Sequence, residues 1–400
     1  VSGGWVGACM MLRMTQDLSS RRWLILASTV VSFFSVGVTF FAVPPLVPEL
    51  MHRFGLSHLA IGVLMGAISV PAILFSLPLG AAIDRWAARA TGNVALGLMV
   101  VGALLFALAP SYSILLVGRL LFGVGGLAIN LLLARLVSTA FAGRELALAM
   151  GIFNAVYPAS MIIMFSLHPK LLALFGWRGE LTALAVVVVV AIPLHNLAVP
   201  KGLRGEAGAS ERSREPWITP GLLATAAAWL LFFAAYASVF TFAPEWIGGG
   251  SDALLKVSLI PWAAIFLAPL VGTLIDRLGH PSRWVMAGML IMAGVLAGMA
   301  GHILPTAPAM LLVGVTFATV ATATYALPAV LVQPARVGFA FGFITAFSNL
   351  GNLVGPAVTG AIHDRTQGWV TAWTLLAIAA LAGAGAAALV RENRAAAPSE

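Results

Sequence analysis

Long uncharged apolar runs recur along this chain and constrain its fold more than any other feature. Residues 59–83, for example, contain no charged side chain over 25 positions. A helix crosses the hydrocarbon core of a bilayer, about 30 Å thick, with roughly 20 apolar residues. Only 9% of the residues are charged and the mean hydropathy is +1.00, whereas soluble domains carry about 25% charged residues. The pattern predicts an integral membrane protein built from helices.

Charges, prolines and turn clusters cut the chain into twelve stretches of spanning length. The predicted spans are residues 23–43, 57–81, 93–110, 113–138, 145–166, 180–199, 217–243, 253–275, 284–304, 308–331, 337–362 and 369–390.

The predicted domains follow from where the polar residues fall. The polar stretch 201–216, KGLRGEAGASERSREP, lies between the sixth and seventh spans and has the composition of a flexible linker. We therefore expect one six-helix bundle over 23–200 and a second over 217–390. Residues 1–22 and 391–400 are expected to be a cytoplasmic N-terminal segment and a cytoplasmic tail.

The two predicted halves repeat each other. PLGAAIDR after the second span returns as PLVGTLIDR after the eighth, and YSILLVG in the fourth returns as PAMLLVG in the tenth. Parallel six-helix repeats are one known transporter architecture, with the substrate site near mid-membrane between the repeats. We expect an all-α integral membrane protein with twelve transmembrane helices in two pseudo-symmetric six-helix bundles.

The basic residues predict the orientation, because cytoplasmic loops carry an excess of Lys and Arg. Fifteen of the 22 basic residues fall on the side of the N-terminus, five fall on the opposite side, and Arg119 and Arg135 lie inside the fourth span. Both termini are therefore expected in the cytoplasm, with the protein in a bacterial inner membrane. The excess positive charge then reflects topology, so no nucleic-acid partner is expected.

Several other classes are disfavoured by what the sequence lacks. The single cysteine, Cys9, allows no cysteine metal cluster, and the glycines after Arg119 lie in an apolar helix with no preceding strand, unlike a phosphate loop. We expect no enzyme activity, no cofactor and no metal. The expected partners are the lipid bilayer, a small-molecule substrate and a coupling ion or exchanged anion, for a monomeric protein.

A duplicated motif follows the second and eighth spans. Gly80 and Asp84 lie one helical turn apart, as do Gly272 and Asp276 in the second copy. A glycine there allows close approach of a neighbouring helix, and an aspartate can pair with a helix N-terminus or a basic group. We predict that both copies take part in conformational gating, with these residues: Gly80, Asp84, Arg85, Arg89, Gly272, Asp276 and Arg277.

These residues resemble the signature G-x-x-x-D-R-x-G of the major facilitator superfamily, and GRLLFGVGG at Arg119 resembles a second signature of that family. The first copy departs from the signature, because Ala87 stands where the family has glycine, whereas Gly279 keeps it in the second copy. The resemblance covers about 23–390 and is weakly nearest to the cyanate and nitrate type of anion porter. It implies alternating access, with the duplicated loop locking the two halves on the cytoplasmic side.

Arg119 is the most informative single residue. Arg135 is expected near the cytoplasmic end of the fourth span, and 16 residues separate it from Arg119, or about 24 Å of helix. An arginine at that depth is costly and marks a functional site by default. The alternative is that it snorkels outward or bonds to helix ends. Gly126 and Asn130 return to the face of Arg119, so a small anion could bind there.

Other polar side chains at membrane depth can orient a substrate or hold helices together, and both interpretations stay open. They pair at spacings that place them on one helix face. The predicted substrate-binding residues are Arg119, Asn130, Asn154, Tyr157, Tyr236, Tyr325, Asn349 and Asn352.

No acidic residue falls at mid-membrane, which limits the ways a proton can be coupled. Five acids lie at or near predicted outer boundaries: Glu49, Glu180, Glu245, Asp252 and Asp364. Proton-coupled porters usually keep a titratable group inside the bundle. Coupling must therefore use boundary acids or a proton carried with the substrate, unless the protein exchanges solutes or facilitates diffusion.

The predicted function is a secondary active or facilitative transporter that moves a small solute, expected to be a small anion. The alternative substrate class is an amphipathic, drug-like compound carried outward. A third possibility is a receptor or assembly protein that keeps the fold without transport.

Overall fold

The computed structural model describes residues 21–83, 86–141, 145–201, 203, 218–333 and 336–392. Within these residues the secondary structure is helical, in thirteen helices. They are α1 (Arg22–Phe40), α2 (Val43–Phe54), α3 (His58–Ala67), α4 (Val70–Ile83), α5 (Ala88–Ala107), α6 (Tyr112–Ala140), α7 (Leu146–Ala198), α8 (Pro220–Ile247), α9 (Gly250–Leu278), α10 (Pro281–Ala300), α11 (Thr306–Leu331), α12 (Val337–Thr366) and α13 (Trp369–Ala388). The prediction of an all-α membrane protein is confirmed.

Eleven segments among the described residues are long and apolar enough to cross a membrane. One of them, Leu148–Ala198, has 51 residues, and a straight helix of that length would measure about 75 Å. Gly176 divides it, because its φ of 64° and ψ of 173° are not helical. The fifth and sixth predicted spans lie on either side of Gly176, so this break accounts for the difference between eleven segments and twelve spans.

A proline break lies at the end of the first predicted span, and another divides the second. The break between α1 and α2 precedes Pro44 and Pro45, and the break between α3 and α4 precedes Pro71. A proline has no amide hydrogen and removes the bond to the carbonyl four residues earlier. Backbone carbonyls at the end of α1 therefore need donors from elsewhere.

The helices form two compact units. Of the described residues, those within 1–42, 74–161 and 170–208 form unit 1, and those within 43–73, 162–169 and 209–400 form unit 2. This division differs from the predicted bundles at 23–200 and 217–390, because α2 and α3 pack on helices of the second half. The domain boundaries of the two bundles stay a prediction.

Glycines bring the helices of unit 1 to backbone contact. A Cβ added to Gly102 of α5 would lie 2.5 Å from the amide nitrogen of Phe122 in α6, and one added to Gly118 would lie 2.8 Å from the carbonyl oxygen of Gly102. Small residues allow this close approach in membrane helices. Gly126, of the predicted glycine face, has ordinary contacts instead, the nearest at 3.7 Å from Val36.

In unit 2, glycines likewise allow close backbone contact between α3 and α12. A Cβ on Gly62 would overlap the carbonyl of Pro356, one on Gly66 would lie 2.5 Å from the Cα of Leu353, and one on Gly360 would overlap the carbonyl of His58. On another face of α12, Gly355 meets the backbone of Ala234 in α8. These contacts fix α3, α8 and α12 as one packed group.

Candidate functional site

Arg119 of α6 is completely enclosed within unit 1, with 0% of its surface exposed. Its Nη1 donates a hydrogen bond of 2.8 Å to the carbonyl of Thr39, in the last turn of α1. The guanidinium lies 6.0 Å from the ring centre of Phe40 and 5.6 Å from that of Phe106. The last carbonyls of a helix lack donors within it, so Arg119 supplies a donor at the C-terminal end of α1.

Tyr157 of α7 lies in the same region of unit 1. Its ring packs on two aromatic rings of α1 and on one that directly follows it, with centroid distances of 5.9 Å to Phe33, 5.7 Å to Phe40 and 5.0 Å to Phe41. It is half-buried and lies within electrostatic reach of Arg119. The structure therefore brings these two predicted residues together around the end of α1.

The other two predicted residues of unit 1 lie elsewhere. Asn130 is half-buried on α6, eleven residues and so about 16 Å along the helix from Arg119. Asn154 is exposed and donates a hydrogen bond of 2.9 Å to the carbonyl of Met150 in its own helix. Neither residue shares the surroundings of Arg119.

In unit 2, Tyr236 of α8 is buried in an aromatic cluster. Its ring centre lies 4.7 Å from Phe317, 5.3 Å from Phe240 and 5.8 Å from Phe232. Tyr325 of α11 has half of its surface exposed and meets Trp229 edge-on at 5.7 Å. Tyrosine supplies both an apolar ring and a polar end to such a surface.

Trp229 was not among the predicted site residues. It is almost completely buried, and its indole N–H has no hydrogen-bond partner among the described residues. An unmade hydrogen bond of a buried donor costs about 1–3 kcal/mol, so a ligand acceptor at this position would gain that energy. The only signal in the sequence is a tryptophan within an apolar span, which by itself does not distinguish a donor from core packing.

The two predicted asparagines of α12 differ from each other. Asn349 donates a hydrogen bond of 2.9 Å to the carbonyl of Thr345 within its own helix. The Oδ1 atom of Asn352 is buried and accepts no hydrogen bond from the described residues. Asn352 is therefore the better placed of the pair to accept a hydrogen bond from a ligand.

The first gating motif lies partly outside the described residues. Asp84 and Arg85 fall in that gap, and Gly80 lies in the helical backbone of α4. In the second copy, Gly272 is in ordinary contact with Thr322 at 3.7 Å. Asp276 and Arg277 are exposed and make no hydrogen bond or ion pair within the described part of the chain. The gating role of both copies stays a prediction.

Arg89 joins the N-terminal end of α5 to the C-terminal end of α7. Its Nε donates a hydrogen bond of 2.8 Å to the carbonyl of Val199, and its Nη2 donates to the carbonyl of Asn196. Asn196 and Asn93 also exchange amide hydrogen bonds of 2.8 and 3.0 Å. Arg89 thus satisfies carbonyls at a helix end within unit 1.

Arg89→Ala is expected to lower the free energy of unfolding by about 1–2 kcal/mol, because two carbonyls lose a charged donor. Thermal unfolding of the purified protein measures this change. Arg277→Ala is the matched control, since exposed Arg277 should change stability by less than about 0.5 kcal/mol. An equal effect of the two substitutions would contradict the assigned bonds.

A cluster that the sequence analysis did not identify as a site lies at one end of unit 2. His58 begins α3, Glu245 lies in the last turn of α8, and His363 and Asp364 lie in the last turn of α12. We call these four residues the His58 cluster. Glu245 and Asp364 were recognised as boundary acids, but the sequence does not show that distant helices bring them to one histidine.

Hydrogen bonds occupy both ring nitrogens of His58. Nδ1 lies 2.7 Å from Oδ1 of Asp364, and Nε2 lies 3.0 Å from Oε1 of Glu245. The rings of His58 and His363 lie 4.0 Å apart. Nitrogen and oxygen atoms of His58, His363 and Asp364 lie within 4.8 Å of one another, but the His58 nitrogens already face hydrogen-bonding carboxylates, so the geometry is that of a hydrogen-bonded cluster and not of ligands around an ion.

An apolar groove of about 680 Å³ runs between α10 and α13. It is lined by side chains such as Leu290, Val370 and Leu381, which are about half exposed. It contains none of the predicted binding residues, and its lining is almost entirely apolar. We assign it to the lipid-facing surface.

The helices, their apolar surfaces and the duplicated motifs define the class of multi-span membrane transporters. The family model of the Major Facilitator Superfamily matches residues 25–255 and again 249–400. The chain belongs to the Major Facilitator Superfamily, and it is therefore a transporter of small solutes and not an enzyme.

Individual relatives are distant. The hexuronate transporter of Bacillus subtilis (strain 168) is 23% identical over 348 residues, which is 80% of this chain and 82% of the relative. The lysosomal dipeptide transporter of Gallus gallus is 26% identical over 318 residues, 70% of each chain. A crystal structure of a bacterial homolog of the human lysosomal transporter Spinster, inward-facing and occupied, has a TM-score of 0.77 at 15% identity, covering 92% of this chain and 96% of that one. The expected nearness to cyanate and nitrate porters is not confirmed.

Proposed function

We propose that the small solute is an organic anion and that Arg119 supplies the positive charge that attracts it. The observation that carries this proposal is a permanently charged side chain with no exposed surface inside unit 1. Burial of an ion is costly unless another charge or a set of hydrogen bonds balances it. An anionic substrate would add a favourable electrostatic interaction with this charge.

Arg119 attracts the substrate without touching it in this proposal, because neighbouring side chains enclose its whole surface. A unit charge about 8 Å away is attracted by roughly 2 kcal/mol at an effective dielectric constant of about 20. That energy corresponds to roughly thirtyfold in affinity. Half-buried Tyr157 is proposed to contact the anionic group of the substrate directly. Asn130 and Asn154 are proposed to contact the substrate at other positions in unit 1.

The names of two relatives support the proposal of an anionic substrate. Hexuronate is a carboxylate, and a dipeptide carries a carboxylate at its C-terminal end. We propose that the substrate of this chain also has a carboxylate or an equivalent small anionic group. For unit 2 by itself, the proposed substrate-contacting residues are Trp229, Tyr236, Tyr325, Asn349 and Asn352.

The aromatic cluster of unit 2 favours a second candidate, an amphipathic drug-like substrate. Trp229, Tyr236 and Phe317 form an apolar surface with a buried N–H donor, which suits a ring system carrying one acceptor. Such a substrate would bind without a charge.

We further propose that the protein works as a monomer by alternating access in a bacterial inner membrane, with both termini in the cytoplasm. The excess of basic residues on the predicted inner side supports this orientation. The motif residues Gly80, Asp84, Arg85, Gly272, Asp276 and Arg277 are proposed to stabilise one end state.

Matched acid and amide pairs of small solutes test the anion proposal on the wild-type protein in proteoliposomes. Uptake of a labelled carboxylate, such as a hexuronate or a dipeptide, should be inhibited by small carboxylates at least tenfold more strongly than by their uncharged amides. Equal inhibition by acids and amides would refute the proposal that the substrate is an anion. Inhibition by uncharged aromatic compounds alone would favour the amphipathic substrate, and the absence of any flux or binding would favour a protein without transport.

A further inference from the structure

We propose that the His58 cluster is a proton-binding site, in which one proton shared by His58 and Glu245 holds the ends of α3, α8 and α12 together. The inference rests on the transporter function given by the family and does not depend on the anionic substrate. The site lies entirely within unit 2, at the end that the charge bias predicts to face outward.

Asp364 is held as a carboxylate by the start of α3. The backbone N–H of His58 donates to its Oδ1 at 3.1 Å, and the N–H of Leu59 donates to its Oδ2 at 2.9 Å. A helix N-terminus favours a negative charge at this position. Asp364 therefore accepts a third hydrogen bond, and the Nδ1 atom of His58 donates it with its own hydrogen.

The second ring nitrogen of His58 then requires another proton. A neutral imidazole carries a hydrogen on one nitrogen only, and Asp364 engages that hydrogen. The lone pair of Nε2 would face Oε1 of Glu245 at 3.0 Å, an arrangement that repels unless a proton lies between the two atoms. The packed ends therefore bind one proton, either on Nε2 or on the Glu245 carboxyl.

Further groups define the surroundings of this proton. The ring of His363 of α12 contacts that of His58 at a tilt of 50°, and the Nδ1 of His363 is buried with no hydrogen-bond partner among the described residues. The Oε2 atom of Glu245 is likewise buried and makes no hydrogen bond there. On α2, which also packs on α3, Glu49 pairs with Arg53, while His52 is exposed. Arg365, next to Asp364, is exposed.

Proton binding is thereby linked to helix packing. Loss of the proton leaves two acceptors facing each other, so rising pH destabilises the contact of α3 with α8 and α12. A free histidine titrates near pH 6.5, so the stabilisation is complete below that pH and is lost as pH rises through the higher midpoint of the packed cluster. Between pH 6.5 and this midpoint the opening equilibrium should rise by up to about tenfold per pH unit, as for one proton, and above the midpoint it should be constant.

Hydrogen exchange of residues 57–67 in the purified full-length protein tests the proposal between pH 5.5 and 9, after correction for intrinsic exchange. The wild-type protein should lose protection with a slope of one proton. Glu245→Gln should remain protected and flat across the range, because its amide can donate to Nε2 without an added proton. His52→Gln, a change of an exposed histidine on α2, should keep the wild-type slope.

Three results would overturn the proposal: a flat wild-type profile, a wild-type slope in Glu245→Gln, or the loss of the slope in His52→Gln. If Glu245→Gln does not fold, His58→Gln is measured in its place and should also be flat, since it removes the titrating ring. No substrate enters this experiment, so its failure is separate from a failure of the proposed anion transport.

Discussion

Gly62→Leu is expected to separate α3 from α12 and to reduce transport at least tenfold. Any side chain at position 62 meets the carbonyl of Pro356, and a backbone carbonyl cannot move aside as a flexible side chain can. Overpacking of a tight contact costs typically 1–3 kcal/mol, and three added carbon atoms beyond the Cβ place leucine at or above the upper end. Hydrogen exchange over 58–67 and uptake in proteoliposomes measure the two effects.

Gly294→Leu is the matched control for this substitution. Gly294 also lies in a helix of unit 2, α10, but a Cβ there meets nothing within 4 Å, and it borders the lipid-facing groove. Leucine is the better helix former by about 0.8 kcal/mol, so this variant should be at least as stable as the wild type. Equal damage from both substitutions would show that glycine contacts do not hold α3 on α12.

Arg119→Met is expected to abolish selective inhibition by anions and to lower the free energy of unfolding by about 1–3 kcal/mol. Methionine retains much of the volume but donates no hydrogen bond, so the Thr39 carbonyl loses its bond of 2.8 Å and a buried acceptor is left without its donor. Relief of the buried charge offsets part of this cost. Competition by acid and amide pairs and thermal unfolding measure the two changes.

Arg119→Lys separates the two roles of this residue. Lysine keeps the charge but has a single ammonium group in place of the planar guanidinium. If the charge attracts the substrate, the preference for acids over amides survives in the lysine variant. If Arg119 serves only the end of α1, both variants lose stability and neither changes the ratio of acid to amide inhibition, which would contradict the proposed role in binding.

The sequence predicts the helical architecture well because lipid restricts the choices. Uncharged runs of spanning length gave the helices, and the fifth and sixth spans were separated correctly although the helix is continuous except at Gly176. The break within the second span was not predicted. Pro71 was visible, but a proline in an apolar run can end a helix or kink it, and neighbouring helices decide which.

The candidate site was only partly predictable. A buried arginine at position 119 could be placed by counting along one helix, since depth is a local property. The hydrogen-bond partners are not local in sequence. Arg119 bonds to Thr39, 80 residues away, and His58 bonds to Asp364, 306 residues away. No periodicity in one sequence encodes such pairs, because they depend on which faces of distant helices meet.

The packing of α3 on α12 also has a consequence for synthesis of the chain. Synthesis reaches the end of α12, at residue 366, about 300 residues after the end of α3, at residue 67. At about 5–20 residues per second, the ribosome finishes α12 roughly 15–60 s after α3. During that interval the glycine face of α3, with Gly62 and Gly66, has no native partner in the bilayer. Biogenesis of this protein therefore depends on the insertion machinery or lipid to accommodate an unfinished helix until its partner is made.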